Sequence, residues 1–395
     1  VRPSPHTLSL RISYRLMKKR ITVYREKDRW AVTPANYGLW SWANSALGAG
    51  ERGQDEIVCG FVVGRLKGDG IFHARDREQK YEVMQARSLD HGETWEVVGM
   101  PCRIPGNETS FSADEHMVPE LRVGRALQEG LEPVPVDCGG GIDFAHPDLA
   151  FLFARTGLGK GTKSWFYSSA DRCRSWDGPF SFPDFGLPGV EARTDYLVTA
   201  SEECTFFLTA SKESGGEGAG VFCARTTNGG RSFRFVGWVC QTEVGWKIMP
   251  SSVRLSESRI LVSVRCKSGA DDPEDARNWI ETYASDDHGA SWSYAGCPVA
   301  DTGYGGNPPA LTKLEDGRLC LTYGYRNPPF GIYAKLSEDN GETWNEPITL
   351  RENGGNHDIG YPRTVQLSDG SIFTVYWFND HPEGERYIES IRWTP

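Results

Sequence analysis

Three arginines and a tyrosine stand where strand-like runs begin or end. Arg193 lies in EARTDYLVT, Arg265 in ILVSVRCK, Arg326 in LCLTYGYR and Tyr361 in DIGYPRTVQ. A guanidinium holds a carboxylate through two parallel N–H donors, so arginines gathered from three distant segments would grip an acidic ligand. A tyrosine can act as a nucleophile or a proton donor. His73, in FHARDREQK, adds an imidazole that titrates near neutrality and so suits acid or base work. His146 in DFAHPDL, Asp195, Asn307 and Asp358 are further polar groups at segment starts, as are Asn36 and Tyr37 in ANYGLWSW. Tyr325 and Asp76 lie close to these in sequence. Trp40 and Trp42 offer flat faces on which a sugar could stack. Each also has an ordinary structural reading. The arginines could form inter-sheet ion pairs, Tyr361 could line a channel, and the tryptophans could fill a core.

Such residues need a scaffold that brings distant segments to one place. The chain has 395 residues, with 45 Gly, 23 Pro, 13 Trp, 15 Tyr and 18 Phe. That mixture suits many short strands joined by tight turns. No long window repeats apolar residues at helical spacing. The net charge of −10 lacks the basic excess expected of a nucleic-acid binder. No apolar run is long enough for a membrane-spanning helix. The first twenty residues are basic and have no sustained apolar core, so they do not read as a signal peptide, and Met17 offers an alternative start. The compartment is therefore extracellular or periplasmic if a signal was removed, and cytoplasmic otherwise. Ten cysteines are scattered without CxxC pairs, which argues against zinc and reads as buried free thiols.

One eight-residue pattern recurs: SLDHGETW at 88–95, SDDHGASW at 285–292 and SEDNGETW at 337–344. TTNGGRSF at 226–233 and SADRCRSW at 169–176 are weaker copies, the last with Cys173 in the glycine position. The Asp or Asn oxygen can accept bonds from its own turn, and glycine allows a positive φ. The hydroxyl closes the loop and the aromatic residue buries between neighbouring sheets. The pattern is a hairpin staple rather than a catalytic device.

Around each copy the same strand order repeats, and the later box spacings of roughly 50–60 residues are close to the ~40–50 of propeller repeats. The expectation is an all-β, six-bladed β-propeller, or seven blades if the stretch 100–140 holds one. Residues 1–20 would be an extension, 21–395 one propeller, and about 100–140 a long insertion. ITVYRE at 21–26 would supply the last blade's fourth strand and so remove an exposed edge. Blade two is expected to begin with IDFAHP and blade one with NYGLWSW.

The boxes resemble those of the sialidase-like, BNR-repeat superfamily over roughly residues 21–395. The resemblance implies a site at the channel mouth. Arg265 and Tyr361 resemble a member of the sialidase arginine triad and the tyrosine nucleophile. Two features depart from that pattern. Arg103-Ile104-Pro105 follows the first box instead of preceding it, and Met249 stands where a glutamate would align. NYGLWSW, EARTDYLVTASEECTFFLTASKESGGEG, GGNPPALTKLEDGRL and DIGYPRTVQLSDG also resemble propellers that remove terminal L-rhamnose from glucuronate. That group includes hydrolases and lyases. Tyr37 stands where its hydrolases would have a histidine, which favours elimination.

Elimination from a 4-linked glucuronate requires loss of the proton α to the carboxylate. Neutralising arginines would make that proton more acidic. His73 and Tyr361 are the candidates for base and acid, in unassigned order. Arg193, Asp195, Arg265, Asn307, Arg326, His146, Tyr37 and Trp40 are the candidates for holding substrate. No metal or organic cofactor is called for. The expected partner is an anionic carbohydrate. The alternatives are a sialidase-like or rhamnosidase-type hydrolase, a non-catalytic glycan-binding propeller, and a protein-interaction propeller.

Overall fold

Six sheets arranged around a central channel make up the protein in a computed structural model that describes residues 18–33, 38–43, 54–68, 72–101, 133–136, 141–269 and 275–395. Among the described residues there are strands and turns and no helix. After β1 (Lys18–Tyr24), blade one holds β2 (Arg29–Val32), β3 (Leu39–Trp42), β4 (Glu56–Arg65), β5 (Glu82–Ser88) and β6 (Glu96–Gly99). Blade two holds β7 (Ala150–Arg155), β8 (Ser164–Ser169) and β9 (Asp177–Ser181). Blade three holds β10 (Asp195–Ala200), β11 (Glu203–Ala210), β12 (Gly220–Thr226) and β13 (Arg234–Gln241). Blade four holds β14 (Trp246–Arg254), β15 (Ile260–Lys267), β16 (Asn278–Ser285) and β17 (Ser293–Val299). Blade five holds β18 (Ala310–Lys313), β19 (Leu319–Tyr325), β20 (Gly331–Ser337) and β21 (Ile348–Arg351). Blade six holds β22 (Gly360–Gln366), β23 (Ile372–Phe378) and β24 (Tyr387–Trp393), and β1 completes it by pairing antiparallel with β24.

The named strands of each blade pair antiparallel. The inner strands β3, β10, β14, β18 and β22 adjoin one another and wall the channel. In the regular blades, alternation places the starts of inner strands and the hairpins between second and third strands on one rim. The boxes, between third and fourth strands, lie on the opposite rim.

The boxes work as the sequence suggests. In the first, Asp90 Oδ1 accepts from the Thr94 N–H at 2.9 Å and Oδ2 from the Thr94 hydroxyl at 2.6 Å. Ser88 Oγ accepts from the Gly92 N–H at 2.8 Å. Two successive residues take left-handed backbone in each copy, His91 and Gly92 at φ 60° and 82° in this one. Cys173 adopts φ 63° without being glycine. The aromatic closers reach the preceding blade. Trp95 lies 6.0 Å from Phe373 of blade six, and Trp176 lies 5.7 Å from Trp40 of blade one. Phe233 lies 5.2 Å from Phe182 of blade two, and Trp292 lies 6.0 Å from Phe207 of blade three. Each such contact adds about 1 kcal/mol beyond the area it buries.

Several expectations change. Blade two has three strands among the described residues, because IDFAHP runs as turns. The Asp143 carboxylate accepts from the Ala145 N–H at 3.0 Å, the His146 N–H bonds the Asp143 carbonyl at 3.2 Å, and Pro147 has no N–H to pair. In blade one the inner position is split between β2 and β3, which pair with opposite ends of β4. The segment of β2, RWAV, was not read as a strand. Most of the 100–140 insertion lies outside the described residues. Of the eight described cysteines all are free, seven are buried and Cys297 is exposed.

The boxes carry acid sensitivity. Bonds from the Ser291 and Thr343 side chains and N–H groups lower Asp287 and Asp339 to about 2, from 3.8. A depressed carboxylate stabilises the fold above its unfolded value and loses that effect as pH falls through the folded one. Asn228 performs the same role in its own box, accepting from the Ser232 N–H at 3.0 Å and donating to its hydroxyl at 2.8 Å. The Asp287→Asn/Asp339→Asn variant should therefore keep most of its neutral-pH stability. Its urea midpoint should fall less than the parent's between pH 4 and pH 2, and equal acid loss in both proteins would contradict this.

Candidate active site at the channel mouth

Tyr361 is the first residue after Gly360 on β22, and it is held in left-handed backbone at φ 42°. A non-glycine residue there stores strain that the surroundings must maintain. Asn307, from the segment entering blade five, does this. Its Oδ1 accepts the Tyr361 N–H at 2.8 Å and its amide donates to the Ile359 carbonyl at 3.2 Å. Thr33, just past β2, donates its hydroxyl to the Tyr361 carbonyl at 3.0 Å. Gly360 is required in this arrangement: its φ is 125°, and a Cβ would come within 2.1 Å of the Asn307 amide. Asn307 is wholly buried, so it positions the tyrosine rather than meeting a ligand.

The phenol points among arginines. Arg265, on β15, donates to the Tyr361 hydroxyl at 2.9 Å. It also donates to the Gly305 and Gly306 carbonyls and approaches the Met249 sulfur at 3.3 Å. Arg326, which follows β19, lies 5.4 Å from the Tyr361 ring centroid and 5.6 Å from that of Trp377. Its Nε donates to the Ile359 carbonyl at 2.9 Å, while its two terminal nitrogens are buried without a hydrogen-bond partner. Burial would raise the Tyr361 pKa, but the charges of Arg265, Arg326 and Arg193 outweigh it and lower it. Burial brings Arg326 down to about 10, which leaves it charged at neutral pH. The three arginines of three blades thus act on one hydroxyl. Arg193 is also engaged on its far side, 2.8 Å from Glu217 and 3.8 Å from buried Glu191.

His73 sits in the hairpin between β4 and β5, and its ring and the phenol both approach Trp377. Ring centroids are 4.6 Å apart for Tyr361 and Trp377, and 6.3 Å for His73 and Trp377. His73 Nδ1 lies 2.6 Å from the Asp358 carboxylate, whose other oxygen accepts from Arg386 Nε at 2.9 Å and Trp30 Nε1 at 3.1 Å. Burial alone would raise Asp358, but the His73 bond and the Arg386 and Arg326 charges hold it well below the usual carboxylate range. Burial among aromatic rings lowers His73, against the pull of Asp358. Burial thus keeps His73 a neutral imidazole, which donates from Nδ1 to the ionised Asp358 and leaves the Nε2 lone pair free to accept. Its side chain keeps 18% exposure, which leaves it reachable from the mouth.

The remaining candidates go elsewhere. Asp195 lies deeper in the channel, where it accepts from the Ser252 hydroxyl at 2.8 Å and the Tyr196 N–H at 2.9 Å. It lines a cavity of about 310 Å³ with Arg363, Ser251 and Trp40. Trp40 is 8% exposed and packs on Trp176, so it forms no platform at the mouth. Trp42 is equally buried, with Arg172 5.9 Å from its ring. His146 is on the box rim, where its Nδ1 accepts from the Asp148 N–H at 3.2 Å, because the segment carrying it never becomes an inner strand. Asp76 caps its own surface turn through the Glu78 N–H at 3.0 Å. Tyr37 and Asn36 lie outside the described residues. Arg386 and Trp377 were missed in the sequence. Arg386 lies in the hairpin of blade six that matches the His73 hairpin, so the same positional rule would have found it. Among the described residues no group of His, Cys, Asp and Glu could hold a metal ion.

A channel ringed by six blades, box staples on one rim and a Tyr–Arg cluster on the other define a sialidase-like β-propeller. The model of the BNR repeat-like domain matches residues 145–374, and the chain belongs to that family. No curated protein matches the chain significantly. A protein of unknown function from Dyadobacter fermentans is similar in structure, with a TM-score of 0.67 and 17% identity over 96% of this chain and 98% of that one. A Trypanosoma rangeli sialidase in complex with 2,3-difluorosialic acid has a TM-score of 0.55 and 12% identity over 95% of this chain and 58% of that one. A Penicillium chrysogenum α-L-arabinanase complexed with arabinobiose has a TM-score of 0.53 and 14% identity over 94% and 98%.

The lowered Tyr361 phenol can be read by difference spectroscopy. Parent minus Tyr361→Phe should show phenolate absorbance appearing below the ordinary tyrosine value of about 10. In an Arg265→Met background the same difference should move to higher pH. A difference that appears only above pH 10 in both would contradict the electrostatic account.

Proposed function

We propose that the protein is an exo-acting carbohydrate enzyme that removes the terminal sugar from a uronate-containing glycan by elimination, as a rhamnose–glucuronate lyase does. The observation that carries this reading is the Tyr361 hydroxyl surrounded by guanidinium groups, with Met249 rather than a carboxylate beside it. A tyrosine nucleophile gains from a neighbouring base that takes its proton, and among the described residues Met249 packs there instead. A phenol of lowered pKa that accepts from Arg265 is better suited to giving its proton away.

In this reading the uronate carboxylate meets Arg265 beside the Tyr361 hydroxyl. Arg326, wholly buried next to the Tyr361 ring, adds its positive charge without touching the ligand. The carboxylate charge is offset, and the negative charge that develops next to C5 is stabilised. His73 Nε2 takes the C5 proton, and the C4–C5 double bond forms as the C4–O bond breaks. Tyr361 donates its proton to the departing oxygen. The products are the free terminal sugar and a glycan ending in a 4,5-unsaturated uronate. Asp358 and Arg386 position His73, and Asn307 positions Tyr361. The similar propellers named as a sialidase and an arabinanase support a carbohydrate substrate and do not bear on elimination.

A sialidase-like retaining hydrolase is the second reading, favoured by the Tyr361–Arg265 contact. Gum arabic and sialyl-lactose, incubated side by side, separate the two. Elimination gives a product from gum arabic that absorbs in the ultraviolet. A hydrolase gives reducing sugar without that absorbance, and release of sialic acid would overturn the lyase reading. Tyr361→Phe and His73→Ala should each lower kcat by about 10²–10⁴-fold. Activity should fall on the acid side only below the ordinary histidine value of about 6.5, because protonation of His73 removes the base and its pKa is lowered. An acid limb above that value would exclude His73 from this role.

A further inference from the structure

A large aromatic side chain stands partly open on the rim beside the charged cluster. Tyr304 lies in the connection from blade four to blade five and keeps 36% exposure. Its ring centroid is 5.3 Å from that of Phe72 and 5.0 Å from that of His357. Phe72 and His357 are themselves 5.0 Å apart, and His357 Nε2 lies 2.9 Å from the Phe72 carbonyl. The three rings form a braced cluster with one open member. Phe72 precedes His73 and has the Arg326 guanidinium 5.1 Å from its ring, while His357 precedes Asp358.

The loop that carries Tyr304 is tied to the site. Arg265 bonds the carbonyls of Gly305 and Gly306, the next two residues. Asn327, next to Arg326, accepts the Tyr304 N–H at 3.0 Å. Gly305 has φ 68°, and a Cβ on it would come within 2.3 Å of the Phe72 ring, so the close stacking depends on glycine there. Tyr304 is thus fixed relative to the arginines by their own hydrogen bonds. A rigid, half-open aromatic face next to an anion grip matches a saccharide with one charged and one neutral ring, because pyranose C–H faces are apolar and their rims polar.

We propose that Tyr304, backed by Phe72 and His357, is a stacking subsite for a neutral pyranose joined to the charged sugar. It rests on the reading of the mouth as a uronate site, and it assigns the second ring to a surface separate from the arginines and the proton-transfer groups. Tyr304 contributes to recognition of the neutral unit and not to recognition of the carboxylate.

Calorimetry in the Tyr361→Phe background, which suppresses turnover, tests this with two probes: glucuronic acid alone and a rhamnosyl-glucuronate disaccharide. Adding Tyr304→Ala should weaken the disaccharide on the order of tenfold and leave glucuronic acid unchanged. Tyr304→Phe should retain the disaccharide affinity, since it keeps the ring. Unchanged disaccharide affinity in Tyr304→Ala overturns the subsite. Equal weakening of both probes also overturns it, because that reports distortion of the whole mouth. If neither probe binds before Tyr304 is altered, the uronate reading fails and the subsite fails with it.

Discussion

The aromatic residue that closes each box is driven out of water into the blade before it, and the ring depends on that wedge. Asp90, Asp171, Asp287 and Asp339, with Asn228 in the same role, fold each hairpin into a shape that can only present its aromatic side chain sideways. Trp95 against Phe373 joins the first blade to the last, and the pairing of β1 with β24 joins the two ends of the described chain within one sheet. A closed ring leaves the inner strands no freedom to slide. Their starts must meet at one mouth.

At that mouth the arrangement is held under strain and strong local charge. Tyr361 would leave its left-handed backbone if Asn307 and Thr33 did not hold its N–H and carbonyl. The two clamps come from different blades, so the tyrosine is placed by the ring and not by its own strand. Arg265 and Arg326 repel each other, which the phenol oxygen and the aromatic faces of Trp377, Phe72 and Trp246 partly relieve. Two guanidinium nitrogens of Arg326 are buried without a hydrogen-bond partner, a cost that the surrounding packing must bear. The positive charge of the mouth is therefore set by the fold itself.

His73 and Asp358 show how the same setting separates two protonation states. Asp358 is paired with Arg386 and stays ionised, so His73 can remain neutral under burial while its ring is oriented by the carboxylate. One residue supplies charge and the other supplies a lone pair. Trp377 approaches both the His73 ring and the phenol, and its Nε1 has no hydrogen-bond partner.

The architecture was legible in the sequence because a box needs only local contacts. Ser, Asp, Gly and an aromatic residue at fixed offsets specify their turn wherever they occur, and their repetition counts the blades. The rule that polar groups at inner-strand starts and second-strand ends gather at the mouth also found Arg193, Arg265, Arg326, Tyr361 and His73 without coordinates. It failed for His146, since Asp143 and Pro147 turn the chain before an inner strand can form. It failed for Asp195 and Trp40 as well, because a few residues along a strand carry a side chain from the mouth into the channel. Only the tertiary structure decided that Asn307 clamps instead of binds, that Arg386 pairs with Asp358, and that burial keeps His73 neutral. Each of these depends on contacts between blades far apart in sequence, and no local pattern encodes the distance between them.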